Sequence, residues 1–202
     1  MKTILGGIII LFILFSFLTK ENNIQSLQAK ESILAFGDSL THGYNAPKDK
    51  SYPNILSHLS GYKVINAGIN GETSTDGLKR LPKLLEDKNI GLMILFFGGN
   101  DILQGASMEV LKENLKTCIR MAKKEDIDVL LISVPNLTLF GFSALDIYEE
   151  ISREENTLLL DNMFANILED PSLKSDQIHP NALGYKVMAE KIYKKLQEEG
   201  WL

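Results

Sequence analysis

The chain has 202 residues, 45% of them hydrophobic and 23% charged, which suits one ordinary domain with a proper buried core and excludes a disordered polymer. A formal net charge of -5, with no long run of Lys or Arg, argues against a nucleic-acid partner, which needs a basic face. The single cysteine, Cys118, excludes an internal disulfide, and with only three histidines beside it no metal-ligand spacing of the zinc type can be drawn.

At the amino end Lys2 precedes an uncharged, apolar block from Ile4 to Leu18, closed by Lys20 and Glu21. That layout predicts a secretory signal or an uncleaved membrane anchor over residues 3–19, within a leader of residues 1–30. Asn22 to Lys30 is polar and offers only Ala29 as a passable cleavage position, while the absence of a following cysteine excludes a lipid-modified terminus. Either fate exports the remaining 31–202 domain to a periplasmic or extracellular site, with membrane contact through the leader alone.

From Ser32 onward, compact apolar runs alternate with segments of helical period. Ser32 to Phe36 reads as a buried strand ended by Gly37, and Tyr52 to Leu59 as a helix with Pro53 in its first turn. Tyr62 to Asn66 is a second strand, and Thr75 to Leu85 a helix with Leu78, Leu81, Leu84 and Leu85 on one face and Pro82 as a kink. Leu92 to Phe97 is apolar at every position, as expected of a strand covered on both faces. Ser107 caps a helix to Lys124, where Cys118 reads as a small buried residue. Val129 to Val134, stopped by Pro135, and Thr157 to Leu160 are the last strands, and Ala182 to Glu198 is the last helix. Such alternation predicts an α/β fold with a five-stranded parallel sheet, right-handed crossovers and helices on both faces. The ligand site of such a sheet lies beyond the carboxyl ends of its strands.

The chemically informative residues fall at those ends. Phe36-Gly37-Asp38-Ser39-Leu40 puts a serine in a tight turn after the first strand, as a nucleophile or as a plain helix cap. Asp176-Gln177-Ile178-His179-Pro180 places a carboxylate three residues before a histidine, a spacing that lets the carboxylate hold the imidazole tautomer. Gly98-Gly99-Asn100-Asp101 puts an amide after an entirely apolar strand, suited to donate to developing negative charge. Asn70-Gly71-Glu72 offers a backbone N–H that no side chain shields. Asp38 and Asp101 read as loop-tying carboxylates, and His42 and His58 carry no motif.

These four segments, in this order, are similar to the four blocks of the SGNH, or GDSL, hydrolases. The matching residues are Gly37-Asp38-Ser39-Leu40, Gly71 within Asn66 to Ser74, Gly98-Gly99-Asn100-Asp101 and Asp176 to Pro180. The extended forms, Gly37 to Tyr44 and Asn66 to Leu78, look like the bacterial thioesterase I, protease I and lysophospholipase L1 group of arylesterases. The resemblance implies a three-layer α/β/α flavodoxin-like sandwich, no cofactor, and an acyl-enzyme on Ser39 with Asp176 and His179 as partners. It further implies an oxyanion hole from the Ser39 and Gly71 N–H groups and the Asn100 side chain.

The segment Pro135 to Phe142 should border the cleft, and Leu137, Leu139 and Phe140 are candidate contacts for an apolar acyl or aryl group; packing against the next helix is the competing reading. The expected partner is a small-molecule or lipid acyl ester, and the expected state a monomer. The main functional expectation is an esterase, thioesterase or lysophospholipase. The alternatives are a carbohydrate O-acetyl esterase acting on an envelope glycan, and a non-catalytic nucleotide or flavin binder. The turn after the first strand lacks a phosphate-loop pattern, which weighs against the last.

Overall fold

The computed structural model describes residues 30–138, 141–143 and 145–202. All but the last residue of the expected leader, residues 1–29, lies outside them. The strands are β1 Ser32–Gly37, β2 Lys63–Gly68, β3 Ile90–Phe96, β4 Asp128–Ile132, β5 Asn136–Thr138, β6 Gly141–Ser143 and β7 Leu158–Leu160. Five of them form one sheet in the order β2-β1-β3-β4-β7, every pair parallel, and β5 with β6 forms a separate antiparallel hairpin. Each sheet strand lies within two residues of its expected bounds.

The helices are α1 Ser39–His42, α2 Tyr52–Ser60, α3 Ser74–Leu84, α4 Gly99–Leu103, α5 Met108–Lys124, α6 Asp146–Glu155, α7 Met163–Glu169 and α8 Ala182–Glu198. They form two groups: α2 packs with α8, and α3 with α5, which in turn packs with α6. The groups cover opposite faces of the sheet, so the fold is the flavodoxin-like three-layer sandwich. Burial follows. Every residue of β1 and β3 is buried, whereas the edge strands β2 and β7 are only partly covered. None of the helices among the described residues is long and apolar enough to cross a membrane.

Local chemistry sets the helix starts. Thr73 accepts from Asp76 N and Ser107 from Val110 N, so α3 begins at Ser74, one residue before its expected start. Pro82 is carried inside α3. Asn181 caps α8 by accepting from Leu183 N and Gly184 N, so Pro180 precedes the helix rather than occupying its first turn. Cys118 is buried within α5, where the loss of water pushes its thiol up to about 12.

The α1 turn sits so close to β2 that a Cβ on Gly68 would lie 2.1 Å from His42 N and 2.6 Å from Thr41 C. Gly68→Ala is therefore expected to push α1 away, costing about 1–3 kcal/mol. A thermal melt together with ester turnover tests this. Turnover should fall more than stability, because α1 carries Ser39.

Candidate active site

Asp38 follows β1 and caps α1 by accepting from Leu40 N at 3.0 Å. Ser39 is therefore the first residue of the helix and not its cap, which leaves its hydroxyl free to point out of the turn. That hydroxyl lies 3.2 Å from His179 Nε2, across 140 residues of sequence. His179 Nδ1 lies 2.8 Å from Asp176 Oδ2 and 3.1 Å from Oδ1. Asp176 Oδ1 also accepts the N–H groups of Ile178 at 2.9 Å and His179 at 2.8 Å, so the D-x-x-H spacing folds into a turn around its own carboxylate. Partial burial pushes the Asp176 carboxyl up, but those two N–H groups and the imidazole outweigh it and hold it below its ordinary value.

The turn itself is anchored. Ser175 N donates to His179 O at 2.9 Å, and the Asn181 side chain donates to Ser172 O and Lys174 O. On the other side Tyr185, buried in α8, donates to Tyr44 O at 3.0 Å and fixes the loop after α1.

Ser39, Gly71, Asn100, Asp176 and His179 all line one cleft of about 640 Å³. Gly71 has φ +76, a backbone shape that disfavours a side chain, and its missing Cβ would meet nothing within 4 Å. The cleft walls are mainly apolar: Leu40, Ile102, Leu103, Val134, Pro135, Phe164, Leu168 and Ile178. An aliphatic or aryl group fits there, beside a hydroxyl and an imidazole. Among the described residues no group of three or more His, Cys, Asp or Glu is placed to hold a metal ion.

The sequence pattern of the GDSL-like Lipase/Acylhydrolase family matches residues 35–187, which include all of these side chains. The chain belongs to this family. It is 30% identical over 179 residues to an arylesterase of Vibrio mimicus, covering 84% of this chain and 90% of that one. It is likewise 30% identical over 178 residues to thioesterase 1/protease 1/lysophospholipase L1 of Escherichia coli strain K12, covering 84% and 85%. The crystal structure of TesA superimposes with a TM-score of 0.75 at 28% identity, over 83% of this chain and 99% of that one. This GDSL hydrolase is thus an ester-hydrolysing enzyme.

Several features of the hydrolase site were not anticipated from sequence. Asn100 has structural partners as well as a place in the cleft: its Nδ2 donates to Glu72 O at 3.0 Å and to Asp38 Oδ2 at 3.2 Å. Asn45 Nδ2 donates to Asp176 Oδ2 at 2.9 Å, supporting the carboxylate from the side opposite its own turn. The Tyr44 ring lies against His179, with centroids 4.6 Å apart and planes inclined at 50°. Arg80 donates to both carboxylate oxygens of Glu72 and to Ala67 O at 2.7 Å, and lies over the Phe36 ring at 4.6 Å. It clamps the Gly71 loop to the end of β2. No motif spacing signals any of these contacts.

The remaining residues singled out in the sequence fall as follows. Asp101 ties loops, accepting Ser74 N and Oγ; His42 and His58 are exposed, with His42 Nδ1 near Gly68 O. Leu139 and Phe140 lie outside the described residues, as does the side chain of Leu137. The backbone of β6 rests against α7, the helix that supplies Phe164 and Leu168 to the cleft.

Asp38 is buried, and no Lys or Arg among the described residues forms an ion pair with it. Loss of water raises its carboxyl to about 7, partly offset by the Leu40 N–H. Its folded value thus exceeds its unfolded one, so between about pH 4 and 7 the folded state holds a proton that the unfolded state has lost. Stability from this group is fully present below pH 4, falls through that window, and stays low above it. Asp38→Asn removes the dependence. Its melting temperature relative to the parent is expected to rise from pH 4 to 7 and then level, measured by calorimetry.

Proposed function

We propose that the protein hydrolyses carboxylic esters or thioesters through an acyl-enzyme on Ser39. The single observation that carries this reading is the continuous chain Ser39 Oγ, His179 Nε2, His179 Nδ1, Asp176 Oδ2 at one rim of an apolar cleft. As Ser39 Oγ attacks the substrate carbonyl carbon, His179 Nε2 takes the hydroxyl proton, and Asp176 keeps the other ring nitrogen protonated and stabilises the imidazolium. The tetrahedral oxyanion receives the backbone N–H groups of Ser39 and Gly71 and one N–H of Asn100. Collapse breaks the bond to the leaving alcohol or thiol, which takes its proton from His179. Water, deprotonated by the same imidazole, then releases the acid and restores Ser39.

Asn100 must share one of its N–H groups between its resting partners and the oxyanion. Its loss therefore acts at the transition state: Asn100→Ala is expected to lower kcat by about 10²–10³-fold, roughly 2.7–4 kcal/mol, with a smaller change in KM. The acyl-enzyme itself is tested by rapid mixing with p-nitrophenyl butyrate. A burst of p-nitrophenol equal to the enzyme concentration is expected; release with no burst, at a rate unaffected by added alcohol acceptors, would count against a serine-bound intermediate.

The apolar walls favour an acyl or aryl ester over an acetylated sugar, so a hexanoyl ester should outpace an O-acetyl glycan. Leu137, Leu139 and Phe140 are kept as candidate acyl contacts in our reading, because they follow the lining residue Pro135 closely in sequence. Residues 1–30 act as an export leader, with residues 31–202 working outside the cytoplasm as a monomer. Cell fractionation of the full chain tests export: activity confined to the cytosol would defeat it.

A further inference from the structure

We propose that the cleft is selective for neutral esters and turns away esters that carry a phosphate near the scissile bond, so that a neutral acylglycerol is a substrate and its phosphorylated counterpart is not a good one. The inference rests on the Ser39 esterase reading above and names the substrate class of that same site.

The argument is electrostatic. Among the described residues that line the cleft there is neither Lys nor Arg; its charged members are Asp38 and Asp176. Residues 136–144, which follow the lining residue Pro135 in sequence, include neither Lys nor Arg. The partly buried guanidinium behind the Gly71 loop, Arg80, is committed to Glu72 and to the carbonyls of Ala67 and Gly37. Lys112, Lys116 and Arg120 of α5 are held in ion pairs with Glu150, Glu154 and Glu155 of α6. The whole chain adds a formal charge of -5. A phosphate held a few ångströms from the reacting carbonyl gives up water and meets carboxylate in place of the guanidinium or ammonium donors that recognise it. A neutral leaving group carries no charge for those carboxylates to repel and gives up less water.

A matched pair tests this: 1-hexanoylglycerol and 1-hexanoylglycerol 3-phosphate share the acyl chain and the ester bond and differ in the phosphate. At pH 8 and low salt the neutral ester is expected to show a kcat/KM about tenfold or more above the phosphate ester, the size of repulsion between charges several ångströms apart in a water-like medium. Raising the salt from about 10 mM to 300 mM should narrow that gap, because screening shortens the reach of the carboxylates. Leu103→Lys, which adds a cation at a half-exposed rim position, should shift the phosphate-to-neutral ratio upward by about three- to tenfold in favour of phosphate. Equal kcat/KM values for the pair, or a preference for the phosphate ester that falls with salt, would overturn the proposal. Failure of the underlying reading looks different: neither ester would be cleaved, or Ser39→Ala would leave cleavage intact.

Discussion

Ser39→Ala is expected to fold as the parent does and to lose about 10⁶-fold in kcat on a neutral p-nitrophenyl ester. The hydroxyl oxygen is the only heavy atom removed, and among the described residues its hydrogen bond runs to His179 Nε2 rather than to a structural partner. The α1 turn keeps its cap, because Asp38 and not Ser39 receives the Leu40 N–H. A melting temperature within about a degree or two of the parent, with ester turnover near background, is the result to look for. An unchanged KM in the residual activity would show that the apolar cleft still binds. Retention of a tenth of the activity would assign the nucleophile elsewhere.

Asp176→Asn is expected to cost about 10²–10⁴-fold in kcat while leaving KM near its parent value. The reason lies in the donors around the carboxylate. Oδ1 is held by the N–H groups of Ile178 and His179, so the amide oxygen of the variant takes that place. Its NH₂ then faces His179 Nδ1 where Oδ2 stood, and meets the Asn45 amide as a second donor. The imidazole is forced into the tautomer with its proton on Nε2, which can no longer accept from Ser39. Because the Asp176 side chain is 39% exposed, water replaces part of the lost stabilisation, which keeps the effect below that of losing the nucleophile. Steady-state kinetics from pH 6 to 9 reads it directly. A loss below tenfold would reduce Asp176 to an anchor of its own turn.

Most of the sheet was legible because buried parallel strands write themselves as unbroken apolar runs. Leu92 to Phe97 has no polar position, and β3 covers all but its last residue. Four helices were not legible: the short α1 and α4, of four and five residues, and the longer α6 and α7. In α6, Tyr148 and Ile151 are buried but stand among Glu149, Glu150, Glu154 and Glu155, so the apolar stripe is too thin to read. Tyr148 earns its place through a contact that sequence does not announce, a hydrogen bond from its hydroxyl to Phe97 O at 2.8 Å. In α7 the opposite holds: Met163, Phe164, Ala165, Ile167 and Leu168 are all buried, so no polar face marks a helical period.

The candidate site divides in the same way. Ser39, Gly71, Asn100, Asp176 and His179 each stand in a short motif at a strand or loop end, and those motifs converge on one cleft. The contacts that hold them do not follow from spacing. Asn45 reaches Asp176 across 131 residues, and Asn100 reaches Asp38 across 62. Such pairs depend on how two loops are set by the layers beneath them, as Tyr185 of α8 sets the Tyr44 loop. Asp38 shows the same limit, since its altered protonation comes from complete burial and not from a neighbour in the chain.

The most direct measurement of the central claim is covalent trapping. Treating the protein with a p-nitrophenyl alkylphosphonate places a tetrahedral phosphorus on the nucleophile, with loss of p-nitrophenolate. Intact-mass and peptide mass spectrometry should then find one adduct per chain, on Ser39, formed at a rate that collapses in His179→Ala. An adduct on another residue, or Ser39 labelling that proceeds unchanged without the imidazole, would contradict the account.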